Sequence, residues 1–547
     1  MLGYPNIANH VDSWYGWQAG PPVVAAPTYP NEDLLVSGEW LQANLAKPGL
    51  VIIDTRKPAY DTGHIPGAIN IAWPEFSDAQ GLMPPVQLGA KLGALGVSET
   101  SKIVIYDDTV NSWGAAGRLF WMLEYLGHKD VHLLNGGWDK WSADAKPTET
   151  TARTLPATNF NLQVRPQVLA TKEGIASRLG ASDFAVLDTR EDEEYNGWTL
   201  YGEARGGHIP GAVNVNYHWF YKPDKTVLGY EELGKLLTSR GITPDKEVAS
   251  YCTAGIRSGF AYFALRLMGY PRASNYAASI KDWAATSGYP MAKMPNHQML
   301  VYPGWLKALI AGGNPGTAGT PATYPGQGFV VLHVAPAAAP YDTGHIPGAL
   351  WLNHLTLEKG GTVAPYAAPS DQTLIADAAL QQALGNLGIT ADTTVVVYGV
   401  NMVVVGRVLW ELMYAGVKDV RALNGGYAAW TASGGAVETT ANTPVPVSFG
   451  AVSTRADYVV TSDEAKTLRQ DPTGRLVDIR SWAEYVGTSA LPAFGGMTRG
   501  GHIPGAVWGG DLVATYFDAD GTFRSYEEVQ KYWQQLGATP DKRVGFT

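Results

Sequence analysis

The chain has 547 residues, a net charge of −10 and a single cysteine, Cys252. Its length calls for several domains, its acidic balance excludes the clustered basic footprint of a nucleic-acid partner, and its one thiol excludes an intrachain disulfide framework or a multi-cysteine metal site. No apolar run approaches the ~20 residues of a membrane span, and no signal peptide is visible at Met1, which leaves cytoplasmic and periplasmic or other extracytoplasmic locations open.

From the N-terminus, residues 2–9 echo residues 268–275: Leu2-Gly3-Tyr4-Pro5 is matched by Met268-Gly269-Tyr270-Pro271. Residues 1–31 therefore read as the tail of a module whose front is absent. This leads to the expectation that the sequence is a fragment, or a rearranged reading, of a longer tandem protein. An amphipathic stretch follows at Trp40-Leu41-Gln42-Ala43-Asn44-Leu45, echoed later at Trp305 to Ile310. Next comes an apolar strand ending Ile53-Asp54-Thr55-Arg56, then Gly63-His64-Ile65-Pro66-Gly67-Ala68.

That hexapeptide is written four times, beginning at Gly63, Gly207, Gly344 and Gly501. The preceding strand recurs as Leu187-Asp188-Thr189-Arg190 and Val477-Asp478-Ile479-Arg480, and degrades to Leu332-His333-Val334-Ala335 in the third copy. After each hexapeptide come a glycine turn and a second apolar strand, such as Ile103-Val104-Ile105-Tyr106. In the first three copies a helix-like run follows, opening at Gly117, Gly259 and Gly406. Self-similarity at a domain-sized period has to be read before any fold is assigned. Copy one spans 32–150, copy two 155–298, copy three 299–447 and copy four 448–547. Pro-, Thr-, Gly- or Ala-rich linkers are expected at 145–159, 311–325 and 439–446. Continuous apolar strands alternating with helices predict α/β domains with central parallel sheets.

Eleven residues after the glycine of each turn, the copies diverge. Gly241 leads to Cys252, Gly96 to Asp107, Gly388 to Gly399, and Gly537 to a position just past Thr547. The loops after Asp107 and Gly399 read as longer than the one after Cys252. In α/β sheets ligands sit beyond the carboxyl ends of the strands, and Cys252 follows the strand Val248-Ala249-Ser250-Tyr251 directly. Thr253-Ala254-Gly255-Ile256-Arg257-Ser258 forms a short loop running into a helix. Its backbone N–H groups can form an anion-binding nest, and the helix end adds partial positive charge. Both stabilise a thiolate, the reactive form of cysteine.

The Asp-x-Arg strand, the repeated hexapeptide and the strand–Cys–loop–Arg arrangement together resemble the rhodanese (sulfurtransferase) superfamily, along essentially the whole chain. The resemblance implies repeated α/β domains, each a central parallel sheet flanked by helices, with a non-catalytic half preceding a catalytic one. It implies that Cys252 takes a sulfane sulfur from a small anionic donor, thiosulfate or a similar molecule, and passes it to cyanide or a thiol through a persulfide. Thr253, Ala254, Gly255, Ile256, Arg257, Ser258, Arg190 and Arg205 are the substrate-binding candidates. Arg205 has a parallel in Arg499 of copy four. No cofactor and no metal are expected. His208 and Asp188 read as structural, because copies without a thiol carry the same histidine and aspartate. Copies one and two, and copies three and four, should dock in pairs, with the active cleft between the first two.

Three other readings were weighed. 3-Mercaptopyruvate sulfurtransferases resemble one another in a Cys-Gly-Ser-Gly-Val-Thr loop, whereas this loop looks closer to bacterial thiosulfate enzymes. Glu194 stands where the family has an arginine, and a carboxylate there would repel an anionic donor. A related phosphatase class needs five residues between Cys and Arg, and only four intervene here. A non-catalytic scaffold of several modules is the remaining alternative.

Overall fold

Runs such as Leu50-Val51-Ile52-Ile53 leave no polar face, so they are stable only where both faces of a strand are covered. A parallel sheet between helices provides this. A computed structural model describes residues 28–78, 81–109, 111–312, 324, 328–361, 373–488, 500–518 and 520–547. The N-terminal echo at 2–9, most of the 311–325 linker and Arg499 lie outside the described residues. The described chain divides into two units: copies one and two build the first, and copies three and four build the second.

In the first unit, copy one forms a five-stranded parallel sheet of order β1-β5-β4-β2-β3. The strands are β1 (Leu35–Val36), β2 (Leu50–Asp54), β3 (Ala68–Asn70), β4 (Lys102–Tyr106) and β5 (Val131–Leu134). Copy two forms a four-stranded parallel sheet of order β7-β6-β8-β9. Here the strands are β6 (Phe184–Asp188), β7 (Val213–Asn214), β8 (Glu247–Tyr251) and β9 (Ala273–Asn275). Asp107 and Cys252 each follow the last residue of the matching strand, β4 or β8, so the two copies present them at equivalent sheet ends.

Two helices join the copies. α1 (Ala115–Tyr125) follows β4 and α2 (Arg257–Leu267) follows β8. Every residue of α1 is buried, as befits a helix covered on all sides. The helices cross with backbones nearly touching. A Cβ placed on Gly117 would lie 2.6 Å from the backbone nitrogen of Phe260, and one on Gly259 would lie 2.5 Å from Cα of Arg118. The glycines that opened each helix-like run are therefore the crossing point. Around it, Phe120 and Phe263 meet edge to face at 5.1 Å. Farther along, Tyr262 donates to Glu124 at 2.5 Å, and Arg266 Nε reaches the same carboxylate at 3.1 Å.

The recurring Asp-x-Arg and Gly-His-Ile-Pro-Gly-Ala motifs form one structural lock. In copy two, Arg190 donates to Asp188 through Nε (3.0 Å) and Nη2 (2.7 Å), and to Gly207 O at 2.8 Å. The Tyr251 hydroxyl donates to Asp188 Oδ2 at 2.5 Å and accepts from Ile209 N at 3.1 Å. His208 stacks on Tyr195 at 3.7 Å and donates from Nδ1 to its carbonyl at 2.8 Å. Copy one repeats the lock with Arg56, Asp54, Gly63 and His64, and copy four with Arg480, Asp478, Gly501 and His502. A buried pair this well hydrogen-bonded fixes geometry more than it adds stability.

In the second unit, copy three has strands β10 (Leu300–Val301), β11 (Phe329–Val334), β12 (Leu350–Leu352), β13 (Thr394–Gly399) and β14 (Asp419–Leu423), in the parallel order β10-β14-β13-β11-β12. Copy four has β15 (Gly474–Asp478), β16 (Val507–Trp508) and β17 (Arg543–Phe546), in the parallel order β16-β15-β17. β13 (Thr394–Gly399) runs almost directly into α3 (Met402–Ala415), with only Val400 and Asn401 between. The loop after Gly399 is thus shorter than the one after Cys252, not longer, because Asn401 caps the helix early by accepting from Val403 N at 3.0 Å. The sequence pattern located the helical glycine but not the helix start. Gly406, at the position of Gly259, has nothing within 4 Å of a built Cβ.

These surroundings predict opposite effects of one substitution. Gly259→Ala forces two backbones apart and should destabilise by about 1–3 kcal/mol. Gly406→Ala adds a methyl in open space to a helix interior and should stabilise by about 0.5–1 kcal/mol. Denaturant unfolding of the two full-length variants reads the difference in sign.

Candidate functional site

Cys252 is buried at the end of β8, where Tyr251 hands the chain to the loop. Gly255 takes φ +78°, a backbone conformation that a side chain disfavours, and this turns its N–H onto the sulfur at 3.1 Å. The loop is clamped on every side. Cys252 N donates to Ser279 Oγ at 3.1 Å, Asn275 Nδ2 to Gly255 O at 3.2 Å, and Ser250 Oγ to Ser258 O at 3.0 Å. The clamp that comes from copy one is Arg118, whose Nη1 donates to Ala254 O at 3.1 Å and whose Nη2 reaches Ser77 and Gly81 O.

Burial pushes the Cys252 thiol up. The Arg257 guanidinium, the backbone N–H groups of Ser258 and Ala254, and the Ser258 hydroxyl outweigh it and hold the thiol below its ordinary value. Charge and hydrogen bonds favour the anion more than burial disfavours it. The same burial lowers Arg118 to about 10, against a raising effect of the Cys252 charge.

The three candidate arginines divide. Arg257 is at the site but its fork is occupied: Nη1 meets Glu194 Oε2 at 2.6 Å, and Nη2 meets Glu194 Oε1 at 2.9 Å and Thr253 Oγ1 at 2.6 Å. Glu194 is therefore not a free carboxylate repelling a donor. Arg257 and the Thr253 hydroxyl, at 2.5 Å, satisfy it. Arg190 is buried in the lock with Asp188 and does not line the cavity over the loop. Arg205 has its guanidinium engaged by backbone. It donates to the carbonyls of Ala284, Tyr289, Trp283 and Thr286, at 2.8 to 3.0 Å, and so ties down the chain after the Ser279–Ala285 helix.

Over the loop lies an open cavity of about 140 Å³. Copy two contributes Cys252, Thr253, Ala254, Ile256 and Arg257 from the loop, plus Tyr201 and Lys281; copy one contributes Trp73 and Trp113. Lys281 is exposed, and among the described residues no carboxylate lies within ion-pair distance of it. Sequence reading missed Arg118, Trp73, Trp113, Tyr201 and Lys281. One signal was available. An arginine follows the helical glycine in both copies that lack a thiol, as Gly117-Arg118 and Gly406-Arg407, while Phe260 follows Gly259 in the thiol copy. For the aromatic residues and the lysine there was none, since they come from distant segments.

Copy one shows what its sheet end has become without a thiol. Asp107 accepts from Thr109 N and Ala116 N, both at 2.9 Å. Its own carboxylate fills the cradle that would otherwise face a ligand. Burial raises it to about 7 against those two N–H groups. A roomier cavity of about 510 Å³ lies at the opposite ends of the copy-two strands, near Phe184, Glu247 and Ala273. Cys252 does not line it, and its Arg178 and Arg266 are paired with Asp183, Glu247 and Glu124. Among the described residues no group of three or more His, Cys, Asp or Glu could hold a metal ion, and no helix is long and apolar enough to cross a membrane.

Comparison with known proteins agrees with this geometry. The rhodanese-like domain matches residues 37–144, 171–286 and 325–433. The chain is 33% identical over 282 residues to the sulfur carrier protein TtuD of Thermus thermophilus, covering 48% of this chain and 98% of that protein. It is 36% identical over 257 residues to a thiosulfate sulfurtransferase of Pseudomonas aeruginosa, covering 46% and 93%. Among solved structures it resembles the anaerobic ergothioneine biosynthesis enzyme of Chlorobium limicola, in complex with trimethyl histidine. The TM-score is 0.61 at 30% identity, over 69% of this chain and 89% of that one.

Two outcomes follow from the field at the sulfur. A thiolate-dependent activity is lost as pH falls through the thiol's pKa, so a lowered pKa keeps it alive to lower pH. Arg257→Gln removes the main charge favouring the thiolate, so the acid limb of the pH–rate profile should move to higher pH. Arg118→Ala, in the copy without a thiol, should cut turnover at Cys252 about tenfold or more, through loss of a charged hydrogen bond to the loop. Arg407→Ala should leave that turnover within about twofold. Steady-state rates across pH check both.

Proposed function

We propose that this chain, which belongs to the rhodanese-like domain family, is a sulfurtransferase that carries a sulfane sulfur from thiosulfate, as a persulfide on Cys252, to cyanide or a thiol. The observation that carries the reading is the buried cysteine at the end of β8, with Gly255 N–H on its sulfur and the N-terminus of α2 behind it. The names of the relatives support the class, and the donor and acceptor are our reading. Copy two (155–298) is the catalytic domain. Copy one (32–150) is its non-catalytic partner, with Asp107 at the cysteine position. Copy three (299–447) carries Gly399 there.

The chemistry is covalent and runs in two steps. Thiosulfate places its anionic oxygens near the Lys281 ammonium and the loop N–H groups. The Cys252 thiolate attacks the outer sulfur, the S–S bond of thiosulfate breaks, and sulfite leaves with the bonding pair. Cyanide or a thiolate then attacks the outer sulfur of the persulfide. Thiocyanate or a new persulfide departs, and the Cys252 thiolate returns. The N–H groups around the sulfur are already oriented toward negative charge, so stabilising it in either step needs no rearrangement. The loop's Gly255, Ile256 and Ser258 act as framework and donors rather than as a fork for the substrate.

A second reading comes from the ergothioneine enzyme, whose structures include a cysteine persulfide. Its natural substrate is trimethyl histidine. The Lys281 ammonium at this cavity, with no carboxylate beside it among the described residues, argues against seating a trimethylammonium group. Incubating the persulfidated protein with trimethyl histidine and looking for the sulfur adduct by mass separates the two.

Mass spectrometry after thiosulfate treatment should show one added sulfur atom on Cys252, and Cys252→Ser should show none while losing thiocyanate formation. Equal activity in both proteins would sink the enzyme reading. Lys281→Ala should raise KM for thiosulfate by about tenfold, the worth of one charge-assisted contact, with a smaller effect on kcat.

A further inference from the structure

The mouth of the cavity above Cys252 is built from two aromatic side chains that the thiosulfate step does not use. Trp113 comes from the copy-one loop and Tyr201 from copy two, and their rings meet edge to face at 6.3 Å. Both are conspicuously open for their size, Trp113 at 47% and Tyr201 at 42% exposed. Paired aromatic residues left open at a pocket rim mark a binding surface.

Trp113 is also held in a conformation that a bulky side chain avoids. Its φ is +55°, in the left-handed region, and Thr109 in the same loop has φ +44°. Such backbone persists only where the surroundings enforce it, and it concentrates at functional sites. Here the loop is pinned by Thr109 N on Asp107, by Gly114 N on Thr109 O at 3.3 Å, and by the Thr109 hydroxyl on Asp139. The strain swings the indole out over the neighbouring copy's thiol loop. Asp107, the residue that stands in for a nucleophile in copy one, thus anchors the loop that presents Trp113 to the nucleophile of copy two.

Polar groups at the rim are already engaged. Arg257 is paired with Glu194 and lies under Tyr201, its Cζ 5.7 Å from the ring centre. Arg118 is held by backbone carbonyls and sits 5.6 Å from the ring centre of Trp73. Lys281 remains for the anionic donor, and the surface left over is mainly aromatic. That surface does nothing for cyanide. A cavity of about 140 Å³ with aromatic walls suits one flat ring.

We infer that Trp113 and Tyr201 select a sulfur acceptor whose thiol is carried on a flat aromatic ring. This deepens the proposed function and rests on the Cys252 persulfide. In the step, the aryl thiolate attacks the outer sulfur of the persulfide. The S–S bond to Cys252 breaks, the Cys252 thiolate leaves with the pair, and an aryl persulfide forms. The sulfane sulfur moves unchanged in oxidation state, so no oxidant or reductant is consumed.

The test uses the full chain, loaded with thiosulfate, and discharged by benzenethiol, cyclohexanethiol or cyanide. For each variant the quantity read is the ratio of kcat/KM for benzenethiol to that for cyanide, which cancels changes in loading and in folded fraction. Trp113→Ala and Tyr201→Ala should each lower the ratio about tenfold, as expected for loss of an aromatic partner. Trp113→Phe and Tyr201→Phe should keep it within about twofold. Relative to its rate with the Ala variants, wild type should gain more for benzenethiol than for cyclohexanethiol, which has the same size but is not flat. An unchanged ratio in the Ala variants, or equal losses for the two thiols, would overturn the inference. If thiosulfate leaves no sulfur on Cys252, the proposed function itself fails. If Cys252 loads and discharges to cyanide with no aromatic discrimination, only the acceptor assignment falls.

Discussion

The contact on which the first unit depends is the backbone crossing of two helices at Gly117 and Gly259. With any side chain at either position the helices would separate, and what travels with them is Arg118. That residue sits next to the crossing and reaches over to Ala254 O in the thiol loop. Copy one, with Asp107 at the cysteine position, therefore shapes the surroundings of Cys252 in copy two. It supplies a clamp on the loop, two walls of the cavity and the strained turn that carries Trp113.

Positive charge at the site is distributed by the same packing. Four arginines stand near or behind Cys252, and each is committed. Arg190 holds a strand to the hexapeptide, Arg205 ties down a chain segment, Arg118 holds the loop, and Arg257 answers Glu194. Arg257 acts on the sulfur through its field, since its donors point at a carboxylate. This separates two jobs that an arginine is often assumed to do together, stabilising a thiolate and binding an oxyanion donor. In the proposed function the second falls to Lys281 and the loop N–H groups.

Glu194 illustrates how context reverses an electrostatic reading. As an isolated carboxylate in sequence, it reads as hostile to an anionic donor. In place, it orders Thr253 and Arg257 with bonds of 2.5 to 2.9 Å. It fixes the loop's shape and limits the net charge of the pocket. Asp107 makes the parallel point in copy one, where the carboxylate fills with its own oxygens the N–H cradle that a thiolate would have used.

Much of the fold was legible in the residues. Continuous apolar strands set the parallel sheets, because only a doubly covered strand tolerates two apolar faces. The hexapeptide and Asp-x-Arg pattern set the lock, because its partners lie close in sequence and recur in a copy with Asp107 at the cysteine position. The position of Cys252 at a strand end, with Gly255 three residues on, set the thiol loop for the same local reason. Local pattern failed at the start of α3, where an asparagine cap moves a helix by several residues, and at Arg205, whose four carbonyl partners lie 78 to 84 residues away. The sequence alone determined which copy carries the nucleophile and what backbone surrounds it. Only the tertiary structure decided which charges remain free and which aromatic rings line the mouth, because those depend on pairings between segments far apart in the chain.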